Sequence, residues 1–192
     1  MARNKAFDPE ERMRLARNVF WEKGYHATSM SDLSEAMQLN PGSIYDTYGS
    51  KHALFLQCLA DYAAEALADY KTAASVTNSP LKAVHCIIYR AAAKVSAGKK
   101  KMCLVPKATF ELAGAHEDVL EVLRKNNQLV QLVKTLLQKA QQAGELGREK
   151  DAGVLAHVIV GNFAGFWQMH VTNENSKLLR QMADCLVQMI SS

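Results

Sequence analysis

Helix start and stop signals recur along the whole chain and constrain its fold more than any other feature. The first is Asp8-Pro9-Glu10-Glu11, in which an N-cap acid precedes a proline at the first helical position and two acids in the first turn. An apolar stripe with helical spacing follows, and the helix is expected to end at Lys23-Gly24. Apolar and polar residues alternate with period two over no useful length, so strands are not required.

The same signals predict about nine helices and an all-α fold. A second helix is expected to begin at Thr28-Ser29, a third after Pro41 and a fourth after Ser50. The later helices are predicted at about 80–98, 103–112, 117–142, 151–170 and 176–190.

Composition narrows the class of protein without identifying a partner. The N-terminus lacks the apolar segment of a signal peptide, and no run of about 18 apolar residues occurs, so we expect a cytoplasmic protein outside the membrane. The four cysteines are far apart and show no metal-binding spacing, so we expect free thiols, no metal and no cofactor. The net charge of +4 favours polyanions only mildly.

The second and third predicted helices have the pattern of a helix-turn-helix. Both are short, a tight turn joins them, and Asn40-Pro41-Gly42 precedes the second. Ser34 is small where the two helices would touch, whereas Leu33, Leu39 and Ile44 are apolar where the unit would pack on the first helix. A thin polar helix of this kind can enter the major groove of DNA, which is about 12 Å wide.

Residues 19–55, VFWEKGYHATSMSDLSEAMQLNPGSIYDTYGSKHALF, resemble the DNA-binding domain of the TetR family of bacterial repressors. The resemblance rests on the aromatic residues around Gly24, the Thr28-Ser29 helix start, the Gly42-Ser43-Ile44-Tyr45 core and Lys51. It implies a three-helix DNA-binding domain over 1–50 and a helical ligand-binding and dimerisation domain over 51–192.

The resemblance also implies roles for single residues. Contacts with phosphate are expected from Thr28, Ser29, Tyr45, Thr47 and Lys51, and contacts with base edges from Pro41, Gly42, Ser43 and Asp46. Ile44 and Tyr48 would hold the recognition helix on the domain, and Arg3 and Lys5 would reach adjacent DNA. The structural alternatives are that Tyr45 and Tyr48 are both half-buried core aromatics and that Thr28 and Ser29 are ordinary caps.

Gln38 departs from the family pattern, which usually has glycine at this point of the turn. A left-handed backbone there costs a non-glycine residue about 1 kcal/mol. Either the turn is reshaped or the strain is absorbed, and the angle of the recognition helix depends on which occurs.

A dimer is expected because one helix-turn-helix contacts little DNA and two half-sites lie about 34 Å apart. The resemblance implies an isologous four-helix interface formed by the last two helices. Its expected residues are Leu155, Ile159, Phe163, Phe166, Leu178, Met182, Leu186 and Met189, with close approach at Gly161, Ala164 and Gly165. The alternative is that these residues are ordinary core stripes.

The middle helices are expected to enclose an effector pocket, as the resemblance implies. The candidate lining residues are Tyr89, Met102, Phe110, Trp167, Met169 and His170, each of which has core packing as its alternative. Cys103 follows Lys99-Lys100-Lys101 at a helix start, and both features stabilise a thiolate. We therefore consider modification of Cys103 by an oxidant or electrophile as a second trigger, against the alternative of a buried thiol.

These inferences predict a dimeric transcriptional repressor that leaves a palindromic or nearly palindromic operator when an effector binds or a thiol is modified. An enzyme is not expected, because the sequence has no Glu-x-x-His pairs, nucleophile elbow, phosphate-binding loop or HExxH motif. A helical scaffold that binds no DNA is the other alternative. Loss of duplex binding as salt rises would argue against it.

Overall fold

The computed structural model describes residues 7–98, 102–112, 114–125, 127–173 and 175–191. Within these ranges the chain forms α-helices and no strand, which confirms the predicted all-α class. The ten helices are α1 (Pro9–Lys23), α2 (Met30–Met37), α3 (Pro41–Tyr48), α4 (Lys51–Ala74), α5 (Pro80–Ala97), α6 (Leu104–Leu112), α7 (Glu117–Lys125), α8 (Gln128–Gln142), α9 (Ala152–Asn173) and α10 (Ser176–Ser191). None of the helices described is both long and apolar enough to cross a membrane.

Helix α1 begins and ends at the residues that the sequence indicates. Asp8 is the N-cap, and its carboxylate accepts a hydrogen bond of 2.9 Å from the amide of Glu10. Gly24 ends the helix with φ of 85°, a backbone conformation that favours glycine. Ser79 caps α5 ahead of Pro80 in a similar way. Local chemistry therefore sets these boundaries.

One predicted helix is two helices in the structure. The segment predicted as 117–142 contains α7 and α8, and Asn127 lies between them with φ of −70° and ψ of 29°. Asparagine is a weak helix former because its side chain competes for backbone hydrogen bonds. The apolar periodicity continues across the break, which is why the pattern alone suggested one helix.

The first compact unit contains Met1–Ala64 and Cys103–Lys125. Its core is formed by one buried apolar cluster, in which the rings of Phe20 and Phe55 meet edge to face with centroids 5.1 Å apart. Leu104, Ala108 and Leu112 of α6 are also buried in this cluster. The unit therefore includes α6 and α7 beside the helix-turn-helix.

The second compact unit contains Glu65–Met102 and Asn126–Ser192. Helix α5 lies in its middle and packs against α8, α9 and α10. Val84, Ile87, Ile88 and Ala91 of α5 are almost entirely buried. Burial of this continuous apolar face is what stabilises the unit.

Candidate nucleic-acid interface

The start of α2 is held by a capping box. The hydroxyl of Ser29 accepts a hydrogen bond from the amide of Asp32, and the carboxylate of Asp32 accepts one from the amide of Ser29. The same carboxylate forms an ion pair of 2.6 Å with the ammonium of Lys23. The bond to Lys23, followed by the bonds to Ser29, lowers the pKa of Asp32 to about 2. Helix α2 is therefore fastened to the end of α1.

The two residues predicted to bind phosphate at this helix start differ in exposure. Ser29 is exposed, whereas Thr28 is 1% exposed and its hydroxyl donates a hydrogen bond of 2.5 Å to the carbonyl of Gly24. The expectation for the Thr28 side chain is therefore corrected: it closes the loop after α1 and is turned away from solvent. The alternative of an ordinary cap describes Ser29 correctly, and this does not prevent a phosphate contact.

The turn between α2 and α3 absorbs the strain at Gln38. This residue adopts the left-handed conformation, with φ of 52° and ψ of 42°. The amide of Leu39 donates to the carbonyl of Ser34 over 3.2 Å, the wide bond that is typical of a Schellman turn. The turn has therefore not been reshaped, and glutamine occupies the position that usually has glycine.

Helix α3 divides into a buried face and an exposed face. Asn40 caps it by accepting a hydrogen bond of 2.8 Å from the amide of Ser43. Ile44 is 0% exposed and Tyr48 is 6% exposed, and the hydroxyl of Tyr48 donates to the carbonyl of Pro9 over 2.7 Å. The structural roles predicted for these two side chains are confirmed. Tyr45 lies on the other face of α3, and its side chain is 46% exposed.

The remaining residues of α3 present polar groups and backbone to solvent. Pro41, Gly42 and Asp46 are exposed, while Ser43 and Thr47 are partly exposed. A Cβ atom placed on Gly42 would meet one neighbour within 4 Å, the Oδ1 atom of Asn40 at 3.3 Å. The exposed face is therefore narrow enough to approach a surface closely.

Lys51 lies at the start of α4 against an aromatic ring. Its ammonium is 4.5 Å from the centroid of the Tyr25 ring, a cation–π distance. Partial burial lowers the pKa of Lys51, and the nearby charges of Asp32 and Glu111 oppose this effect. Lys51 is thus positioned against the ring of Tyr25.

Residues 13–58 match the family model described as bacterial regulatory proteins, tetR family. The N-terminal helix-turn-helix region of the chain is therefore similar to that of the TetR family of transcriptional regulators. A relative in Bacillus subtilis (strain 168), the uncharacterized HTH-type transcriptional regulator YezE, is 29% identical over 162 residues, which cover 83% of this chain and 84% of the relative. The HTH-type transcriptional repressor BdcR of Escherichia coli (strain K12) is 35% identical over 60 residues, 31% of this chain and 30% of that protein.

Solved structures of TetR-family regulators share the fold of this chain. A cysteine mutant of the TetR-family regulator CifR, solved with 26bp operator DNA, has a TM-score of 0.85 and 23% identity, and the match covers 97% of this chain and 98% of that one. A TetR regulator from Chloroflexus aurantiacus has a TM-score of 0.85 and 22% identity, with 95% and 93% covered. These relatives and solved structures are all described as transcriptional regulators or repressors.

Sequence reasoning missed two residues of α6 that hold the end of α1 and the loop after it. The Lys107 ammonium donates to the carbonyls of Trp21 and Glu22, over 3.0 Å and 2.9 Å, at the C-terminal end of α1. The carboxylate of Glu111 accepts a hydrogen bond of 2.7 Å from the amide of Tyr25 and fills the space where a Cβ on Gly24 would stand. No local pattern reveals these contacts, because the partners are 85 or 86 positions apart.

The residues predicted to line an effector pocket are not brought together within one unit. Tyr89, Trp167 and His170 belong to the second unit, whereas Phe110 belongs to the first and is 78% exposed. The expectation that Phe110 lines a pocket is therefore corrected. Phe110 lies two positions after the buried Ala108, about 200° around the helix, and its side chain points outward. The hydroxyl of Tyr89 donates to Asp184 over 2.8 Å. Two surface depressions of the described structure have other linings. One is lined by Gln138, Gln141, Gln142 and Arg148, and the other by Val19, Glu22, Lys23, Asp32, Glu35 and Ala36.

Cys103 is exposed just before α6, so the alternative of a buried thiol is wrong. Its backbone carbonyl accepts a hydrogen bond of 3.2 Å from the amide of Lys107. The predicted basic neighbours Lys99, Lys100 and Lys101 lie outside the described residues, as do Arg3 and Lys5 of the predicted N-terminal arm.

Most of the predicted dimer residues belong to the core of the second unit. Ile159, Phe166 and Leu186 are buried there, and Leu155, Phe163 and Met182 pack against the same cluster. The prediction is corrected for Ile159, Phe166 and Leu186, because a side chain covered by its own chain cannot present itself to a partner. Leu178 is partly exposed and Met189 is 66% exposed. Apolar periodicity marks a buried face but does not tell which chain buries it.

Proposed function

We propose that this chain is a homodimeric TetR-family repressor that places α3 in the major groove of an operator. The observation that carries the proposal is the division of α3 into a buried face, formed by Ile44 and Tyr48, and an exposed polar face. The buried face anchors a helix too short to be stable alone, and the exposed face is left to contact DNA. The CifR structure with operator DNA has the same fold and supports this placement.

Within this proposal, the exposed residues are assigned to two kinds of contact. Ser29, Tyr45, Thr47 and Lys51 contact phosphate and set the register on the duplex. Pro41, Gly42, Ser43 and Asp46 contact base edges, because they lie on the first two turns of α3 and are exposed or partly exposed. A carboxylate such as that of Asp46 accepts a hydrogen bond from the amino group of cytosine.

The dimer is assigned to the outward faces of α9 and α10. Val154 and Val158 are 60% and 45% exposed and one helical turn apart on α9. Gly161 and Gly165 continue this stripe, and nothing lies within 4 Å of the place where a Cβ would stand on either. Leu178 and Met189 of α10 supply further accessible apolar surface. A second copy covering these side chains gives the isologous pair that a palindromic operator requires.

Release from the operator is assigned to an effector or to modification of Cys103. Cys103 precedes α6, and the same helix holds the end of α1 through Lys107 and the loop after it through Glu111. A bulky or charged adduct on Cys103 would displace α6 and with it these contacts. Such a switch requires that the modified form favours a state with lower DNA affinity. A small molecule that moves α6 would act through the same contacts.

Selection of bound duplexes from a random pool, followed by titration of the selected sequence, tests the DNA-binding proposal. We expect a palindromic sequence whose affinity falls steeply with salt. An Asp46→Ala variant should change sequence preference, whereas Tyr45→Phe and Lys51→Ala should weaken binding to all duplexes. Absence of any salt-dependent binding would favour the scaffold alternative, and equal loss by Asp46→Ala on operator and random DNA would refute the base-contact assignment.

A mobility-shift assay with hypochlorite or a quinone tests the thiol trigger. The parent protein should leave the selected duplex on treatment with the oxidant or quinone, and the Cys103→Ser variant should remain bound. Cys185→Ser is the matched control, because this thiol is also exposed and should leave the response unchanged. If Cys103→Ser is released as readily as the parent protein, the thiol trigger is wrong and the effector trigger remains.

A further inference from the structure

Three side chains able to bind a metal ion meet in the first compact unit. His52 is the second residue of α4, His116 immediately precedes α7, and Asp118 is the second residue of α7. Each offers one ligand atom, and these atoms all lie within 4.8 Å of one another. The residues are 64 and 2 positions apart in sequence, a spacing that matches no sequence motif for a metal site.

We propose that His52, His116 and Asp118 form a binding site for a divalent transition-metal ion of the zinc class. Two imidazoles and one carboxylate are a common ligand set for Zn²⁺ and its neighbours, and water completes the coordination when a site has three protein ligands. None of these three residues is among the proposed DNA contacts, so the existence of the site does not depend on the proposed function.

The present spacing is close to that of a coordinated ion. The Nε2 atom of His52 and the Oδ2 atom of Asp118 are 2.6 Å apart and share a hydrogen bond. Two ligands on a tetrahedral zinc ion are roughly 3.3 Å apart, because each bond is about 2.0 Å. A modest side-chain movement and the loss of the shared proton would therefore admit the ion between them. The rings of His52 and His116 are already adjacent, with centroids 4.8 Å apart.

The backbone on both sides of the site is held in place. Leu54 and Phe55 follow His52 and are buried, and Val119 follows Asp118 and is 0% exposed. The amide of His116 donates to the carbonyl of Leu112 over 3.0 Å. Anchored ligands lose little conformational freedom when an ion binds, so the cost of binding is reduced.

The site is also open to incoming ions. The side chains of His52 and Asp118 are 24% and 48% exposed. The ring of Tyr25 lies beside both imidazoles, with centroids 5.6 Å from His52 and 6.3 Å from His116. This ring also contacts the ammonium of Lys51, so a bound ion would lie near the start of α4.

The test is metal binding by the full chain in the absence of DNA. Protein freed of metal by a chelator is titrated with Zn²⁺ in competition with a chromophoric chelator, and with Co²⁺ while its absorption spectrum is recorded. We expect one ion per chain and a Co²⁺ spectrum without thiolate charge-transfer bands. Such bands would assign the ion to exposed cysteines and overturn the proposal.

Variants connect the ion to these three residues. His116→Ala and Asp118→Asn should each weaken Zn²⁺ binding at least about 10-fold, as loss of a ligand or its support does in other metal sites. His26→Ala is the matched control, because His26 also packs on Tyr25, at 5.4 Å, but is outside the cluster. Asp118→Asn keeps the size of an exposed side chain, so it remains informative if the histidine variant fails to fold. Equal affinity in the parent protein and Asp118→Asn, or an equal loss in His26→Ala, would overturn the site.

Discussion

The α2–α3 segment and the α6–α7 segment of the first unit are both pairs of short helices, but they are built from different kinds of contact. Ser29 and Asp32 cap α2, and Asn40 caps α3, each within three residues along the chain. Helix α6 instead bonds to the end of α1 and the loop after it, about 86 positions away. Local contacts can be recognised in a sequence, whereas distant ones depend on the folded chain.

Ile44→Ala should have the largest effect, because α3 has eight residues and depends on burial of Ile44 and Tyr48. Truncation of a fully buried isoleucine costs about 2–5 kcal/mol in free energy of unfolding. Urea unfolding measures this loss. Tyr45→Ala on the exposed face should change stability by less than about 0.5 kcal/mol. Equal losses from the two variants would show that the two faces of α3 do not differ as described.

Glu111→Ala tests the contact between α6 and the loop after α1, whose partners are 86 positions apart. The variant leaves the amide of Tyr25 without its carboxylate acceptor, and we expect a loss of about 1–2 kcal/mol in free energy of unfolding. The matched control is Glu117→Ala, whose carboxylate is exposed and pairs only with Arg124 in the described structure. A loss no larger than that of the control would mean that α6 does not hold the loop after α1.

Gln38→Gly examines the local turn. Removal of the side chain relieves the left-handed conformation at φ of 52°, although glycine also gains freedom in the unfolded chain. We expect a net gain of at most about 1 kcal/mol in thermal or urea unfolding. Gln38→Ala keeps the strain and should give no gain. A destabilised glycine variant would show that the glutamine side chain contributes contacts that outweigh the strain.

The smallest effect is expected from Asp32→Asn, in the dependence of stability on pH under acidic conditions. The folded pKa of Asp32 is lowered to about 2, below the ordinary value of about 3.9, so its contribution is present above the ordinary value and is lost as pH falls toward 2. Asp32→Asn should therefore flatten the decline in stability over this interval. Thermal unfolding across this pH range measures it, with Glu35→Gln as the exposed control on the same helix. An unchanged slope in Asp32→Asn would contradict the assigned role of the Lys23 and Ser29 contacts.

The corrected residues show where reasoning from periodicity stops. Ile159 and Leu186 have the spacing of an interface stripe, but α5, α8, α9 and α10 of the same chain bury them. Thr28 stands where a phosphate contact is expected, yet its hydroxyl bonds to Gly24. In each case the residue type and spacing were compatible with two environments, and only the position of the neighbouring helices distinguished them.

The sequence by itself determined most of the helices, the caps at Asp8 and Ser29, and the TetR-type helix-turn-helix, because these depend on contacts within a few residues. It also determined that α3 has one apolar and one polar face, since Ile44 and Tyr48 are one turn apart. The tertiary structure decided which carboxylate and ammonium of α6 hold the end of α1, and it brought His52, His116 and Asp118 together. Those contacts join distant parts of the chain, and helix packing rather than local propensity determines which residues meet.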